Sequence, residues 1–477
     1  MAEPITSTDR GRVRGSTAPH GYAFRGIPFA KPPFGALRFL GPEVTDAWEG
    51  ERPAIDFAPT APQPATGFTL IPEPTIDGGD APDCLSLNVF TPDLGPAGLP
   101  VLVWIHGGGF VTGTPSSPWY DGDRFARDGI VVVSAGYRLG SEGFLNIEGA
   151  PTNRAVLDWI AALEWVQRNI AHFGGDPGKV TVAGQSAGGA ATMLLTTLPR
   201  AEGLFRAAIP MSGSVFPPRP IESTQRLTAR MAEHLGIGAT LEEFARVSPA
   251  ALVDAQTAAT TRPEGAAPGG ELNFFPFVDG EVVPDSPMHA VAAGRGSTLP
   301  LLIGTTEQEF NAAARMAPAD DEAVGKTLTA LGLDDVGIAA YRANAQVPGD
   351  QIGQAVTDRM FRVPALRVAE ARSVGPAPTY HYEFQWRSPA LGGLGAVHCL
   401  DLPFVFDVLD DDHVPLVAGD APPQELADRM HAHWVRFVTD NNPGWVPFRD
   451  DSRRTMVFDE QSKVVDDLHA PIRSLWP

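Results

Sequence analysis

The segment Gly184-Gln185-Ser186-Ala187-Gly188 places one serine between glycines, directly after the β-branched run Val180-Thr181-Val182. G-x-S-x-G is the pattern of a nucleophile elbow, a sharp strand-to-helix turn that thrusts the serine hydroxyl out of a sheet. Glycines suit such a turn because a Cβ would collide with the neighbouring backbone. The same pattern also serves simply to pack a helix close to a sheet, so its meaning depends on partners. A serine hydroxyl is a weak nucleophile at its free pKa and needs a base to take its proton. An acyl carbonyl under attack also needs backbone N–H groups aimed at the oxyanion that forms. His106-Gly107-Gly108-Gly109-Phe110 leaves a stretch of backbone bare enough for that. A phosphate loop would carry a Lys with a following Ser or Thr, and this run does not.

Eight histidines follow Ser186. His398 lies between a glycine-rich stretch and the apolar segment Cys399-Leu400-Asp401-Leu402-Pro403-Phe404, a loop setting that often carries function. His431 and His433 fall in a segment whose Leu426, Met430, Trp434 and Phe437 mark a helix, and they are expected on its surface rather than on a metal. For the acid, a predicted strand over Leu299–Gly304 is followed by both Glu307 and Glu309, and the residues alone leave both open.

These groups need a scaffold. LPVLVWI, GIVVVSA and KVTVAG read as buried strands, and NRAVLDWIAALEWVQRNI has helical spacing. Continuous apolar strands separated by helices predict an α/β fold with a mostly parallel sheet covered on both faces. Sites in such sheets lie beyond the carboxyl ends of the strands, where Ser186 and the glycine run after Ile105 both fall. Two Pro- and Gly-rich stretches, Phe57–Ala81 and Thr261–Gly270, read as surface loops.

Composition narrows the function classes. The chain has 477 residues and a formal net charge of −21, which disfavours nucleic acid as a partner. No apolar stretch approaches the ~18 residues of a membrane span, and the N-terminus has no apolar core of a secretory signal. Cys84 and Cys399 are the only cysteines; both are expected as free thiols in a cytoplasmic setting. The run Asp410-Asp411-Asp412 reads as a solvated loop rather than a cation site. Oligomeric state is not legible.

Seven ordered motifs resemble the type-B carboxylesterase family, which includes bacterial para-nitrobenzyl esterases and animal cholinesterases. They are FRGIPFAKPPFGALRF, DCLSLNVF, HGGGF, YRLG with its following GFL, NIAHFGGDPGKVTVAGQSAGG, GTTEQEF and AVHCLDLPFVF, and they run almost end to end. The resemblance implies one α/β-hydrolase domain over residues 1–477. It also implies a serine esterase acting on small-molecule esters through an acyl-serine, with no metal or organic cofactor. It selects Glu309, five residues after Gly304, as the acid, His398 as the base and Ser186 as the nucleophile, with Gly108, Gly109 and Ala187 as the oxyanion hole. A substrate pocket of Gln185, Gly270, Leu272 and Phe310 is expected to accept short or medium acyl and aromatic esters. Choline esters are disfavoured: cholinesterases hold the ammonium on aromatic rings shortly after the acid and in a disulfide-closed loop, whereas here Phe310, Asn311, Ala312 and Ala313 follow Glu309 and no Cys precedes Cys84. A specialised amide, lactone or toxin-ester hydrolase, and a non-catalytic binding protein, are the alternative readings.

Departures from the family pattern carry expectations too. Gln185 stands where many relatives have Glu, so no second buried carboxylate is expected beside the base. Pro82 replaces a Glu and deprives Arg38 of its usual partner. Phe310 replaces a Gly after the acid, and Gly136 replaces an Asn. Arg138 and Asp158 match a structural ion pair.

Overall fold

The computed structural model describes residues 3–65, 69–96, 98–213, 221–261, 273–316, 320–345 and 347–476. Its strands in chain order are β1 (Ile5–Ser7), β2 (Arg12–Arg14), β3 (Ser16–Ala18), β4 (Gly21–Pro28), β5 (Glu51–Pro53), β6 (Ser86–Thr91), β7 (Leu99–Ile105) and β8 (Val131–Ala135). They continue with β9 (Gly175–Gln185), β10 (Ala207–Met211), β11 (Leu301–Thr306), β12 (Thr379–Phe384), β13 (Thr455–Phe458) and β14 (Lys463–Val465). β1, β2 and β5 form a small sheet; the others form one large sheet in the order β14-β13-β12-β11-β10-β9-β7-β8-β6-β4-β3. The run from β8 to β13 in that order is parallel, and both flanks turn antiparallel.

The alternation of strand side chains explains why these strands read as unbroken apolar runs. Val101, Val103 and Ile105 of β7 join one core, whereas Leu102 and Trp104 point into the other. β8 repeats this, with Val131 and Val133 on one face and Val132 on the opposite face. Successive side chains point to opposite faces, so a strand covered on both sides must be apolar at every position. The helix Arg154–Asn169 covers the first face through Val156, Ile160, Leu163 and Val166. The helix Gln424–Asp440 covers the second through Leu426, Met430, Trp434 and Phe437.

That second helix corrects one expectation. His431 is buried, not on the helix surface: its Nδ1 lies 2.7 Å from the Val405 carbonyl and its Nε2 3.0 Å from Asp128. His433 is half-buried, 2.5 Å from the Pro443 carbonyl. Heptad-like spacing identified the helix but not the short helix Leu402–Val405 that packs against it and supplies the Val405 carbonyl. Asp411, in the acidic run, accepts from the Trp119 indole at 3.1 Å, and Asp410 pairs with Arg124 at 2.7 Å.

β11 begins and ends two residues later than the strand expected from sequence. Its partner sets these limits, since its pairing with β12 extends from Leu301↔Thr379 to Thr306↔Phe384. The shift brings the strand end closer to Glu309.

Arg138 and Asp158 form a fully buried bidentate pair, at 2.9 Å from Nε and 2.6 Å from Nη2, and the Arg138 amide donates to the same carboxylate at 3.0 Å. The loop after β8 is thereby tied to the helix Arg154–Asn169. Asp158→Ala strands a buried guanidinium and is expected to cost about 3–5 kcal/mol of stability. Urea unfolding measures this; a loss below ~1 kcal/mol would show that the pair is dispensable. In place of the partner that Pro82 removes, Arg38 binds Glu142 at 2.6 Å, from a segment distant in sequence, and the Val247 carbonyl. Gly136 also has a reason, because a Cβ there would lie 2.6 Å from the Cys84 carbonyl oxygen.

Candidate active site

The carboxyl ends of three parallel strands converge. Ile105 at the end of β7 pairs with Gly184 of β9, and Met211 of β10 faces both Gln185 of β9 and Gly304 of β11. The chain leaves β7 into Gly107–Gly109, β9 into Ser186, and β11 into Glu309.

Ser186 has φ 58° and ψ −122°, a sparsely populated conformation for a residue with a Cβ. Its amide donates to the Met211 carbonyl at 3.0 Å, and its own carbonyl accepts from Ala190 at 2.9 Å as the helix Ala187–Leu195 begins. The turn is sharp because the helix starts against β7: a Cβ on Gly188 would overlap the Ile105 carbonyl, and one on Gly184 would sit 2.5 Å from Gly188. The neighbouring loop needs its own glycines, with Gly108 at φ 102° and Gly109 at φ 61°. The amides of Gly108, Gly109 and Ala187 donate to no protein group among the described residues. All three residues line the same cavity as Ser186.

His398 reaches that cavity from the loop after β12. Its Nδ1 lies 2.5 Å from Glu309 Oε2, and its amide donates to the Glu309 carbonyl at 3.2 Å. The other oxygen, Glu309 Oε1, accepts from the Thr306 amide at 2.8 Å. Gln185 Nε2 stands 3.4 Å from His398 Nε2, so in the neutral imidazole these contacts put the proton on Nδ1 and make Nε2 the acceptor. Glu307 points elsewhere, into a two-pronged pair with Arg387 at 2.9 and 3.0 Å. Glu309, and not Glu307, therefore contacts the histidine.

Burial opposes a charge on His398, but Cys399 and Glu309 favour it and prevail, holding its pKa well above the usual histidine range. Burial also raises the Cys399 thiol, which leaves it neutral near pH 7, so Glu309 is the partner that counts there. The Cys399 thiol donates to Gln185 Oε1 at 3.2 Å. Cys84 and Cys399 are both buried and unbridged.

Position 185 supplies no carboxylate, yet the expectation that none would be buried nearby is overturned. Asp401 is fully buried, within electrostatic reach of Glu309 and His398, and accepts from the Tyr382 hydroxyl at 3.2 Å. Burial, reinforced by Glu309, pushes its pKa up to about 7.

The cavity holds about 320 Å³. Gln185 and Phe310 line it, as expected from sequence, while Gly270 and Leu272 lie outside the described residues. Phe310 stacks on Phe361 with ring centres 5.7 Å apart, and both rings lie against His398. Sequence reasoning missed Phe361 and Met360, which enter from a single π-helical turn at Asp358–Arg362. It also read Phe57–Ala81 as a surface loop, although Leu70, Ile71 and Glu73 form part of the cavity wall. The apolar pair Leu70-Ile71 within a Pro- and Gly-rich stretch was the available signal.

The whole arrangement has a known counterpart. Residues 2–471 match the model of the carboxylesterase family. The chain belongs to the carboxylesterase family. This esterase is 34% identical to the para-nitrobenzyl esterase of Bacillus subtilis (strain 168), over all of this chain and 99% of that one. It is also 34% identical to the phenmedipham hydrolase of Pseudarthrobacter oxydans, over the full length of both. A carboxylesterase structure from Geobacillus stearothermophilus superposes with a TM-score of 0.88 at 34% identity, covering 99% of this chain and all of that one. The α/β-hydrolase fold and carboxylic ester hydrolysis follow from these matches. Among the described residues, no helix is long and apolar enough to cross a membrane.

Proposed function

We propose that Ser186, His398 and Glu309 act as nucleophile, base and orienting acid, with the Gly108, Gly109 and Ala187 amides as the oxyanion hole. The observation that carries this reading is the 2.5 Å contact of Glu309 with His398 Nδ1, in a cavity that Ser186 shares. His398 Nε2 takes the hydroxyl proton as Ser186 attacks the ester carbonyl. The three amides hold the tetrahedral oxyanion, and Glu309 stabilises the imidazolium. The imidazolium then gives its proton to the departing alcohol. Water, activated by the same imidazole, hydrolyses the acyl-Ser186 and restores the enzyme. Every step uses groups of this chain, so the reading requires no cofactor. One catalytic domain over residues 1–477 is part of the reading, as is a reducing, cytoplasmic setting, supported by two unbridged thiols.

The substrates proposed are short or medium acyl and aromatic esters. Support comes from the apolar wall of Leu70, Ile71, Phe310, Met360 and Phe361, and from the names of relatives that act on para-nitrobenzyl esters and on phenmedipham. A panel of acetyl to octanoyl and benzoyl esters, with matching amides, thioesters and lactones, tests this. The esters are expected to fall within roughly 200-fold of one another in kcat/KM, the span that pocket fit alone commands for small apolar differences. One ester, amide or lactone exceeding every other by more than ~10³-fold would instead mark a specialised acyl hydrolase.

A further inference from the structure

Beyond the proposed catalytic groups, the Ser186 cavity is lined mainly by apolar side chains, with Thr69, Thr112 and one acidic residue among them. Glu73 lines it next to Leu70 and Ile71 and has no hydrogen-bond or ion-pair partner among the described residues. The other acidic side chains around the site are engaged: Glu309 by His398 and Thr306, Glu307 by Arg387, and Asp401 by Tyr382. A half-buried carboxylate facing an apolar cavity without a partner costs free energy, which is recovered when a cation or donor arrives. Burial pushes the Glu73 pKa up to about 7, as expected for a carboxylate with no cation beside it. The phenols of Tyr120 and Tyr137 lie in electrostatic reach of Glu73, and burial raises both well above neutrality, so they supply no counter-charge. The stacked rings of Phe310 and Phe361 line the same cavity and present π surface, which also favours a cation.

We propose that Glu73 is a specificity-determining residue that receives a protonated amine carried by the substrate, so that this esterase favours esters of amino alcohols or amino acids over their neutral isosteres. The inference rests on Ser186 acting in the same cavity. The amine must be one that bears an N–H, because the recognition is a charge-assisted hydrogen bond to a carboxylate. A quaternary ammonium has no such donor.

The test compares 2-(dimethylamino)ethyl benzoate with 3-methylbutyl benzoate, which differ chiefly by an N–H⁺ in place of a C–H. At pH 8 the wild type is expected to favour the amine ester by roughly 10- to 100-fold in kcat/KM, the range a hydrogen bond between charged groups commands. Glu73→Gln should remove most of that preference, read as the ratio of kcat/KM for the two esters. Glu73→Asp should keep part of it, and protonated N,N-dimethylbutylamine should inhibit the wild type competitively but not Glu73→Gln. An amine preference that survives in Glu73→Gln, or no preference in the wild type, would overturn the proposal. Should the Gln variant not fold, the wild-type preference and the amine inhibition decide the matter. Failure of the catalytic reading would look different, because the neutral ester too would then be hydrolysed independently of Ser186.

Discussion

Ser186→Ala is expected to leave a folded protein whose kcat/KM for esters falls by at least ~10³-fold. Alanine keeps the Cβ, so the cost of holding φ at 58° is the same in both proteins, and the amide bond to Met211 is retained. Nothing in the packing of the elbow depends on the hydroxyl. What disappears is the atom that attacks, and with it any acyl-enzyme. Bare amides at Gly108, Gly109 and Ala187 still polarise a carbonyl, so a residue of activity above the uncatalysed rate should remain. The measurements are steady-state kinetics and thermal melting on protein free of wild-type carry-over. Near-normal turnover by the variant would remove the elbow from the mechanism.

The second large effect concerns the choice between two glutamates. Glu309→Gln should lower kcat/KM by about 10²- to 10⁴-fold, and Glu307→Gln by less than about threefold. The Thr306 amide donates to Oε1 of Glu309, so in the Gln variant the amide oxygen must take that position. The NH₂ group then faces His398 Nδ1, where a donor is wrong. The imidazole is driven to the tautomer with its proton on Nε2, and that nitrogen can no longer accept from Ser186. Glu307→Gln loses only a partly exposed pair with Arg387, which is of little energetic weight. A second readout has a definite sign. The base must be neutral to act, so kcat/KM rises with pH through the His398 pKa; Glu309 holds that pKa up, and its neutral replacement should move the rising limb to lower pH. A larger loss at Glu307, or a limb that moves upward, would reverse the assignment of the acid.

These predictions also mark what each level of description contributed. Local sequence was enough to find Ser186, the glycine loop and the parallel sheet. Each rests on short-range sterics: an elbow needs glycines within two residues of its serine, and a strand buried on both faces is apolar at every position. The helix Arg154–Asn169 was legible for the same reason, since its spacing repeats on a period set by the backbone itself. The motifs around His398 and Glu309, which the fold brings into contact, were also legible because each is contiguous.

Other features were decided only when distant segments met. Two glutamates two positions apart are chemically alike in the sequence; His398, 89 residues from Glu309, and Arg387, 80 from Glu307, take one each. Arg38 exchanges a missing neighbour for Glu142, 104 residues away, because the chain path brings a helix against it. His431 is covered by the short helix Leu402–Val405, a contact that helical periodicity does not encode. Phe361, in a π-helical turn, lies against His398, and Glu73 lines the same cavity as Ser186 from a segment far away in sequence. Residue type and spacing encode local backbone preference and burial period; pairings across the chain come from the path of the backbone through the tertiary fold, and those contacts decide which of several equivalent side chains reaches the candidate site.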